Sequence, residues 1–160
     1  MNRVEISAEE APEPLWCNSL KHYALKVLDR LGRDKWDLSI LLCGDRTISD
    51  LNSRYRGKPE ATDVLSFNFD EGGGGSPPRG PHGRIIPGDI VISLDTLREN
   101  AGRFKISEDE ELRRLLIHGI LHLDGMDHRT NKKNEPMLRF QEQILTELAQ
   151  DRIMEKGGDV

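Results

Sequence analysis

The sequence has few cysteines and aromatic residues and lacks long hydrophobic runs. No apolar segment approaches the roughly 18–20 residues that are needed to cross a bilayer. The first residues, MNRVEISAEEAPEP, lack the apolar core of a secretory signal. Only two cysteines are present, Cys17 and Cys43, and they form no CxxC pair. These features argue against a membrane protein and a disulfide scaffold, and they predict a cytoplasmic protein with reduced thiols.

An excess of positive charge is also absent. The formal net charge is −5 and the pI is about 5.6, whereas a dedicated nucleic-acid-binding domain usually has a pI above about 9. A local basic cleft can coexist with an acidic remainder, so an enzyme that acts on RNA is not excluded. Each local group of cationic residues is either a solvated face or part of a binding surface. The groups are Arg54, Arg56 and Lys58; Arg79 and Arg84; and Arg129, Lys132 and Lys133.

The pattern of hydrophobic residues predicts one domain of α+β class, with a small mixed sheet of about four strands covered by helices. The predicted strands are 2–7, 36–44, 62–69 and 88–93, and the last two are expected to be antiparallel neighbours. A flexible loop rich in glycine and proline is predicted at 70–83. The predicted helices run from Pro14 to Leu31, from Asp45 to Tyr55, from Ser93 to about Phe104, from Ser107 to Asp124 and from Asn134 to about residue 155. The expected N-cap residues of the second to fifth helices are Asp45, Ser93, Ser107 and Asn134.

The stretch HGILHLDGMDH, at 118–128, contains three of the chain's five histidines. At 3.6 residues per turn, His118 and His122 project from one face of a helix. A turn at Gly125, where positive φ is easy, brings His128 back over that face. We therefore predict that the three imidazoles bind one cation. Zinc is the first choice, and nickel, cobalt or copper would also suit three nitrogens.

Three histidine ligands predict a catalytic site, because a fourth tetrahedral position stays open for water. A bound zinc lowers the pKa of such a water to about 7. Asp127 either orients a ligand imidazole or closes a turn through its own backbone. The spacing of the histidines is that of a metzincin protease. Gly119, however, stands where the protease has its glutamate base, which weighs against peptide hydrolysis.

Three motifs together resemble the YbeY family, the bacterial endoribonucleases that mature ribosomal RNA. HGILHLDGMDH is similar to the family signature H-G-x-L-H-L-x-G-Y-D-H. YRGKPEATDVLSF (55–67) and GDIVIS (88–93) resemble two further family motifs in the expected order. The resemblance extends from about residue 38 to 145. Met126 replaces the usual tyrosine, and the insertion at 70–83 is longer than expected.

The resemblance implies a zincin-like metal helix within the α+β fold, with one Zn²⁺ on His118, His122 and His128. It implies cleavage of single-stranded RNA during maturation of the 3′ end of 16S rRNA and in ribosome quality control, with His118 as a catalytic residue. Arg56 matches the family's functional arginine, and its planar guanidinium suits two phosphate oxygens. A structural role for Arg56, pairing a helix end with a carboxylate, is the alternative.

Three hypotheses for the function follow from these observations. The first is a metal-dependent endoribonuclease in which either water or the RNA's own 2′-hydroxyl attacks the phosphate. Its expected partners are ribosomal RNA, the small ribosomal subunit and associated assembly proteins, with no membrane involved. The second is a zinc metallopeptidase, suggested by the histidine spacing. The third is a ribosome assembly factor whose metal is mainly structural, which the acidic charge balance would suit.

Overall fold

The computed structural model describes residues 1–68 and 79–154, which form four strands and five α-helices. In chain order these are β1 (Arg3–Ala8), α1 (Cys17–Arg30), β2 (Asp37–Cys43), α2 (Asp45–Arg56), β3 (Val64–Asn68), β4 (Gly88–Ser93), α3 (Leu94–Phe104), α4 (Glu108–Leu123) and α5 (Pro136–Glu147). Within these two ranges, no helix is both long and apolar enough to cross a membrane.

The strands form one mixed sheet in the order β1-β2-β4-β3. β1, β2 and β4 are parallel, whereas β3 runs antiparallel to β4, with Leu65 opposite Val91. The predicted α+β class with a small mixed sheet of four strands is therefore confirmed, as is the antiparallel pairing of the third and fourth strands. β3 is an edge strand, and this position leaves one of its sides available to border a cleft.

The helices cover the two faces of the sheet unequally. The larger core lies between the sheet and α1, α3 and α4, with α5 packed against α4, and it includes Ile40 and Ile90. α2 covers part of the opposite face through Ile48, which packs near Leu65 and Val91. α4 is central to the larger layer, since Leu112, Leu116 and Ile120 recur at helical spacing and are completely buried. Burial of each such side chain contributes about 1.5–3 kcal/mol, so the position of α4 is firmly determined.

The predicted flexible loop at 70–83 lies mostly outside the described residues, as does Phe69 at the end of the third predicted strand. Its described end, from Arg79 to Gly83, includes a short 3₁₀ turn at Pro81–Gly83. Arg79 forms an isolated bridge with Ile85. This part of the segment is thus tied to the chain that enters β4.

The prediction that Asp45 caps α2 is wrong. The N-cap residue is Gly44, and Asp45 is the first residue of the helix. The Asp45 carboxylate instead accepts a hydrogen bond from the hydroxyl of Ser93, at 2.7 Å. The backbone N–H of Asp45 donates to the carboxylate of Asp95, at 3.0 Å. A carboxylate from α3 therefore satisfies the N-terminus of α2, and this contact is not visible in the local sequence.

The prediction that Asn134 caps the last helix is also wrong. α5 begins at Pro136, after the N-cap residue Glu135, because proline is well suited to the first helical position. The helix ends at Glu147, well before the predicted end near residue 155, which itself lies outside the described residues. Beyond α5 the backbone N–H groups of Ile153 and Met154 donate to the Asp109 carboxylate, each at 2.8 Å. The chain is therefore anchored to the start of α4 and does not continue as a helix.

The caps predicted for the two intervening helices agree with the structure. Ser93 precedes α3 and its side chain accepts from the N–H of Thr96, at 3.3 Å. Ser107 precedes α4 and accepts from the N–H of Glu110, at 3.0 Å. α4 ends at Leu123, directly before the predicted last residue, Asp124. The helix that carries two of the histidines therefore has a fixed beginning and a fixed end.

Candidate metal centre

The structure brings the three histidines of the HGILHLDGMDH stretch together. The Nε2 atoms of His118 and His122, one turn apart on α4, are 3.0 Å from each other. Gly125 has a φ of +96°, and this left-handed residue reverses the chain after α4. His128 returns so that one ring nitrogen from each of the three histidines lies within 4.8 Å of the other two. The geometry inferred from the sequence is therefore present.

Each imidazole has its Nδ1 atom beside an oxygen acceptor. His118 Nδ1 lies 2.6 Å from the side-chain oxygen of Gln141, and His122 Nδ1 lies 3.1 Å from the backbone oxygen of Met126. His128 Nδ1 lies 2.8 Å from the backbone oxygen of Thr130. An oxygen acceptor requires the proton on Nδ1, which leaves the Nε2 lone pair bare. All three rings are thus held in the tautomer in which Nε2 can bind a metal.

The electrostatics of the site also favour neutral imidazoles. Burial lowers the pKa of His118, and the hydrogen bond with Gln141 offsets only part of that effect. Burial likewise lowers the pKa of His122, and the neighbouring His118 ring lowers it further. Neutral imidazole is the form of histidine that binds metal ions. Burial therefore favours the neutral form that coordination requires at His118 and His122.

The donor set of this site fits a divalent transition metal. Two nitrogens on a tetrahedral zinc, each at roughly 2.0–2.1 Å, are about 3.3 Å apart, close to the 3.0 Å between the His118 and His122 nitrogens. Two bare lone pairs at this distance repel each other unless a cation lies between them. Zinc, nickel, cobalt and copper all accept three imidazole nitrogens, so the geometry alone does not select among them.

The imidazoles border an open cleft of about 570 Å³ beside the edge strand β3. The cleft is lined by Arg56, Asp63, Val64, Ser66, Asn68, His118, His122, Leu123, Gly125, Met126 and Asp127. The side chains of Val64, Ser66 and Asn68 share this face because alternate residues of a strand point the same way. A ligand as large as a phosphodiester segment can therefore approach the histidines from solvent.

Arg56 lies at the same cleft as His118 and His122, at the end of α2. One guanidinium nitrogen donates to the backbone oxygen of Ser66 at 3.1 Å, which ties the side chain to the edge strand. Among residues 1–68 and 79–154, no carboxylate forms an ion pair with Arg56. The alternative in which Arg56 pairs with a carboxylate thus finds no support there, and the remaining N–H groups can contact an anion.

Asp124 and Asp127, the two aspartates near the histidines, each contact a partner other than a histidine ring. Asp127 accepts a hydrogen bond from the backbone N–H of His128 at 2.8 Å, as in the turn interpretation. The three Nδ1 atoms have other partners, so Asp127 does not orient a ring through Nδ1. Asp124 forms an ion pair with Arg33, with 2.7 Å between Nε and Oδ1. Neither carboxylate is placed as a ligand with the three imidazoles.

The cationic groups noted in the sequence have different surroundings. Arg84 is buried and bonded to the Asp37 carboxylate and to two backbone oxygens, so it is a structural residue. Arg54 pairs with Asp50 at 2.9 Å on the surface of α2. Arg129, Lys132 and Lys133 are exposed in the segment that directly follows His128. Arg56 lines the cleft beside His118 and His122, and the last group follows His128 directly in the chain, so both can add positive charge near the histidines.

Gln141 is the site residue that the sequence reasoning missed. It lies on α5, on the buried side shared with Met137 and Ile144, and is 7% exposed. Glutamine has no place in common metal motifs, and the residue is far from the histidines in sequence. A signal was nevertheless present, because a polar residue at helical spacing among apolar core positions needs a buried partner. That partner is His118.

Comparisons with known proteins agree with the motifs of the chain. The family model described as "Endoribonuclease YbeY" matches residues 5–149. A Treponema pallidum protein named endoribonuclease YbeY is 44% identical over 147 residues, covering 92% of this chain and 90% of that protein. A Treponema denticola protein of the same name is 42% identical over 150 residues, covering 90% and 92%. The solution structure of a Thermotoga maritima protein matches with a TM-score of 0.61 and 25% identity over 96% of each chain.

Proposed function

Because the chain belongs to the YbeY family, we propose that it is a metal-dependent endoribonuclease that cleaves single-stranded RNA. The proposed metal is one Zn²⁺ held by His118, His122 and His128. The proposed process is maturation of the 3′ end of 16S rRNA together with ribosome quality control, in the cytoplasm. Ribosomal RNA, the small ribosomal subunit and its assembly proteins would be the partners.

One observation carries the proposal most directly. Three imidazoles converge with each Nδ1 atom beside an oxygen acceptor, and His118 and His122 line an open cleft. Arg56, which pairs with no carboxylate among residues 1–68 and 79–154, lines the same cleft. A closed structural zinc site has four protein ligands, whereas three ligands beside a solvent-filled cleft are typical of a catalytic site. This supports the endoribonuclease over an assembly factor whose metal is only structural.

The chain's own residues would bind and orient the scissile phosphate. A zinc ion on the three imidazoles supplies Lewis acidity and lowers the pKa of water in its coordination sphere. Arg56 would bind two phosphate oxygens with its planar guanidinium and stabilise the negative charge that develops there. The Ser66 carbonyl would keep the guanidinium in place. His118, as a proposed ligand on the rigid helix α4, would fix the reacting centre relative to Arg56.

Charge next to the cleft supports an RNA substrate. Arg129, Lys132 and Lys133 follow His128 and are exposed, and Arg56 and Lys58 lie near the end of α2. Such residues attract a phosphate backbone and make its binding depend on salt. The net charge of −5 for the whole chain leaves other surfaces suited to protein partners. We infer that the RNA-binding surface is local to the cleft.

The decisive experiment measures metal content and RNA cleavage in the same preparation. Purified protein is expected to contain about one zinc per chain and to cut precursor 16S rRNA, and a chelator should abolish cleavage until zinc is added back. His118→Ala should lose both metal and activity. His22→Ala is the matched control, because His22 is exposed on α1. An uncut RNA with zinc-loaded wild type, or full activity in His118→Ala, would overturn the proposal.

The products of that reaction identify the nucleophile. Attack by the neighbouring 2′-hydroxyl leaves a 2′,3′-cyclic phosphate and a 5′-hydroxyl, whereas attack by water leaves no cyclic end. Mass spectrometry of the fragments separates the two routes. If His118→Ala fails to cut RNA but fully restores rRNA processing in cells that lack the protein, an assembly role would replace the nuclease role.

A further inference from the structure

The three Nδ1 acceptors of the histidine cluster differ in kind. Backbone oxygens serve His122 and His128, from Met126 and Thr130, and both belong to the segment that follows α4. His118 instead uses a side chain from another helix, Gln141 of α5, at 2.6 Å. A backbone oxygen is present whatever the side chain, whereas this contact depends on one residue's identity. The orientation of His118 is therefore under the control of α5.

A neighbouring ion pair determines which way the Gln141 amide faces. The amide nitrogen donates to the Glu142 carboxylate at 3.1 Å, so the amide oxygen is left to face His118. Glu142 is itself held by Arg114 of α4, whose Nε and Nη2 atoms donate at 2.9 and 3.0 Å. An amide has one donor end and one acceptor end, and fixing the donor end fixes the acceptor end.

The Glu142 carboxylate stays ionised in this arrangement. Burial alone would raise the pKa of Glu142, but hydrogen bonds from Arg114 and Gln141 outweigh that effect, and the pKa is lowered. An ionised carboxylate accepts hydrogen bonds and cannot donate one, so it can only attract the nitrogen of the amide. Arg114 and Gln141 therefore both donate to Glu142, and the Gln141 amide oxygen is left to accept from His118 Nδ1.

We propose that Gln141 is a positioning residue that holds His118 in the tautomer with a bare Nε2, and that the Glu142–Arg114 pair sets the orientation of the Gln141 amide. The inference rests on the metal site of the proposed function and adds a residue that governs its affinity. Without an acceptor at position 141, the His118 ring can carry its proton on Nε2 or rotate. Either change removes a ligand from the cluster.

The expected loss of metal affinity can be estimated from other metal sites in which a ligand histidine loses its hydrogen-bond partner. Loss of the acceptor behind a ligand histidine typically weakens metal binding by about 10–100-fold. A glutamate at position 141 alone would face the ionised Glu142 carboxylate where the amide nitrogen now donates. The double variant Gln141→Glu/Glu142→Gln keeps an acceptor for His118 and a donor between the two positions, and it should retain the affinity. A leucine fills a similar volume without an acceptor and suits the apolar neighbours Met137 and Ile144. The two variants therefore separate hydrogen bonding from packing.

The test compares Gln141→Leu, the double variant Gln141→Glu/Glu142→Gln and the control Gln143→Leu. Gln143 lies on the same helix but is exposed and bonded to Glu147, at 3.1 Å. The first readout is the Zn²⁺ dissociation constant, measured by competition with a chelating dye. The second is the ¹⁵N NMR spectrum of the imidazoles in metal-free protein, which reports which nitrogen carries the proton. The melting temperature of each metal-free variant confirms that it is folded.

The expected result is a loss of about 10–100-fold in Zn²⁺ affinity for Gln141→Leu, with Gln141→Glu/Glu142→Gln and Gln143→Leu close to wild type. The His118 signal should show a proton on Nδ1 in wild type and a mixed population in Gln141→Leu. Equal affinity in Gln141→Leu and wild type, or an equal loss in both position-141 variants, would overturn the inference. If the wild-type protein binds no Zn²⁺, the proposed metal site is wrong. The NMR spectrum of the metal-free protein then still tests the role of Gln141, and a proton on Nε2 of His118 in the wild type would refute it.

Discussion

Gly119 of α4 lies directly against Ile90 of β4. A Cβ atom at position 119 would be 3.1 Å from two Ile90 carbons, Cδ1 and Cγ2, and 3.2 Å from Cγ1. Ile90 is completely buried, so it has little room to move away. A glutamate at this position, where a metzincin has its base, would press its Cβ against Ile90, which would have to give by a few tenths of an ångström. The packing of the metal helix thus favours glycine over the protease base, which argues against the peptidase hypothesis.

The contact between Gly119 and Ile90 predicts that replacing two helical glycines with alanine changes the stability in opposite directions. Gly102→Ala on α3 should stabilise the protein by about 0.5–1 kcal/mol, because alanine favours helix and nothing lies within 4 Å of the added methyl group. Gly119→Ala should instead destabilise it by about 1–3 kcal/mol through overpacking against Ile90. Urea denaturation of the metal-free proteins measures both values. A stabilising Gly119→Ala would show that α4 can shift away from β4.

The reversal at Gly125 predicts that replacing this glycine lowers metal affinity as well as stability. Gly125→Ala must place an L-residue at a φ of +96°, which costs about 1–2 kcal/mol or moves the backbone. Either result displaces His128 and should weaken Zn²⁺ binding by at least about tenfold. Zinc titration of the refolded variant provides the measurement.

Gly32→Ala is the matched control for that experiment. Gly32 follows α1 with a φ of +72° and, like Gly125, has open space around its missing Cβ. Its replacement should cost similar stability and leave Zn²⁺ affinity unchanged. If both variants bind zinc as wild type does, the turn at Gly125 is not what positions His128.

The histidine cluster could be predicted from sequence because its geometry is local. A spacing of four residues on a helix and a glycine at the turn determine where His118, His122 and His128 can lie. The strand alternation and the two serine caps are local in the same sense. The edge position of β3 was not determined by any local pattern, and neither was the parallel pairing of β1, β2 and β4.

Apart from the cap expected at Asn134, which the nearby Pro136 moves to Glu135, the failures of prediction involve contacts between distant residues. Gln141 meets His118 across α4 and α5, and Asp95 replaces the cap expected from Asp45. Arg84 was assigned to a cationic group, yet it is buried against Asp37. In each case a polar side chain satisfies a partner that the fold brings near, and single-sequence patterns do not record such pairs.

Arg56 is predicted to be required for RNA cleavage but not for folding. Arg56→Ala should lower kcat/KM on single-stranded RNA by about 10²–10³-fold, as expected when a group that stabilises transition-state charge is removed. Arg56→Lys should recover only part of this loss, because an ammonium cannot bind two phosphate oxygens in the same fork geometry. The control is Arg54→Ala, two residues earlier on α2, where the guanidinium pairs with Asp50. Equal activity of the Arg54 and Arg56 alanine variants would remove Arg56 from the proposed mechanism.

The buried carboxylate of Glu111 is predicted to make the stability of the protein depend on pH. It is 4% exposed on α4, and its carboxylate makes no hydrogen bond within the part of the chain that the structure describes. Burial raises the pKa of Glu111, and the opposing effect of Arg114 is smaller. A raised pKa in the fold means that ionisation at neutral pH destabilises the folded state relative to the unfolded one.

Glu111→Gln should therefore raise Tm at pH 8 by about 2–4 °C, the shift that ~1 kcal/mol produces in a domain of this size. The difference should shrink as pH falls and vanish below about 4.3, the pKa of an unfolded glutamate, because the wild-type carboxyl is then neutral in both states. The control is Glu108→Gln. Glu108 lies partly exposed in the same first turn and pairs with Arg98, so losing its charge at the helix N-terminus should lower Tm slightly at pH 8. Thermal melts of the three metal-free proteins between pH 4 and pH 8 provide the comparison. A Glu111→Gln advantage that stays constant over this range would mean that the gain comes from packing and not from the buried charge.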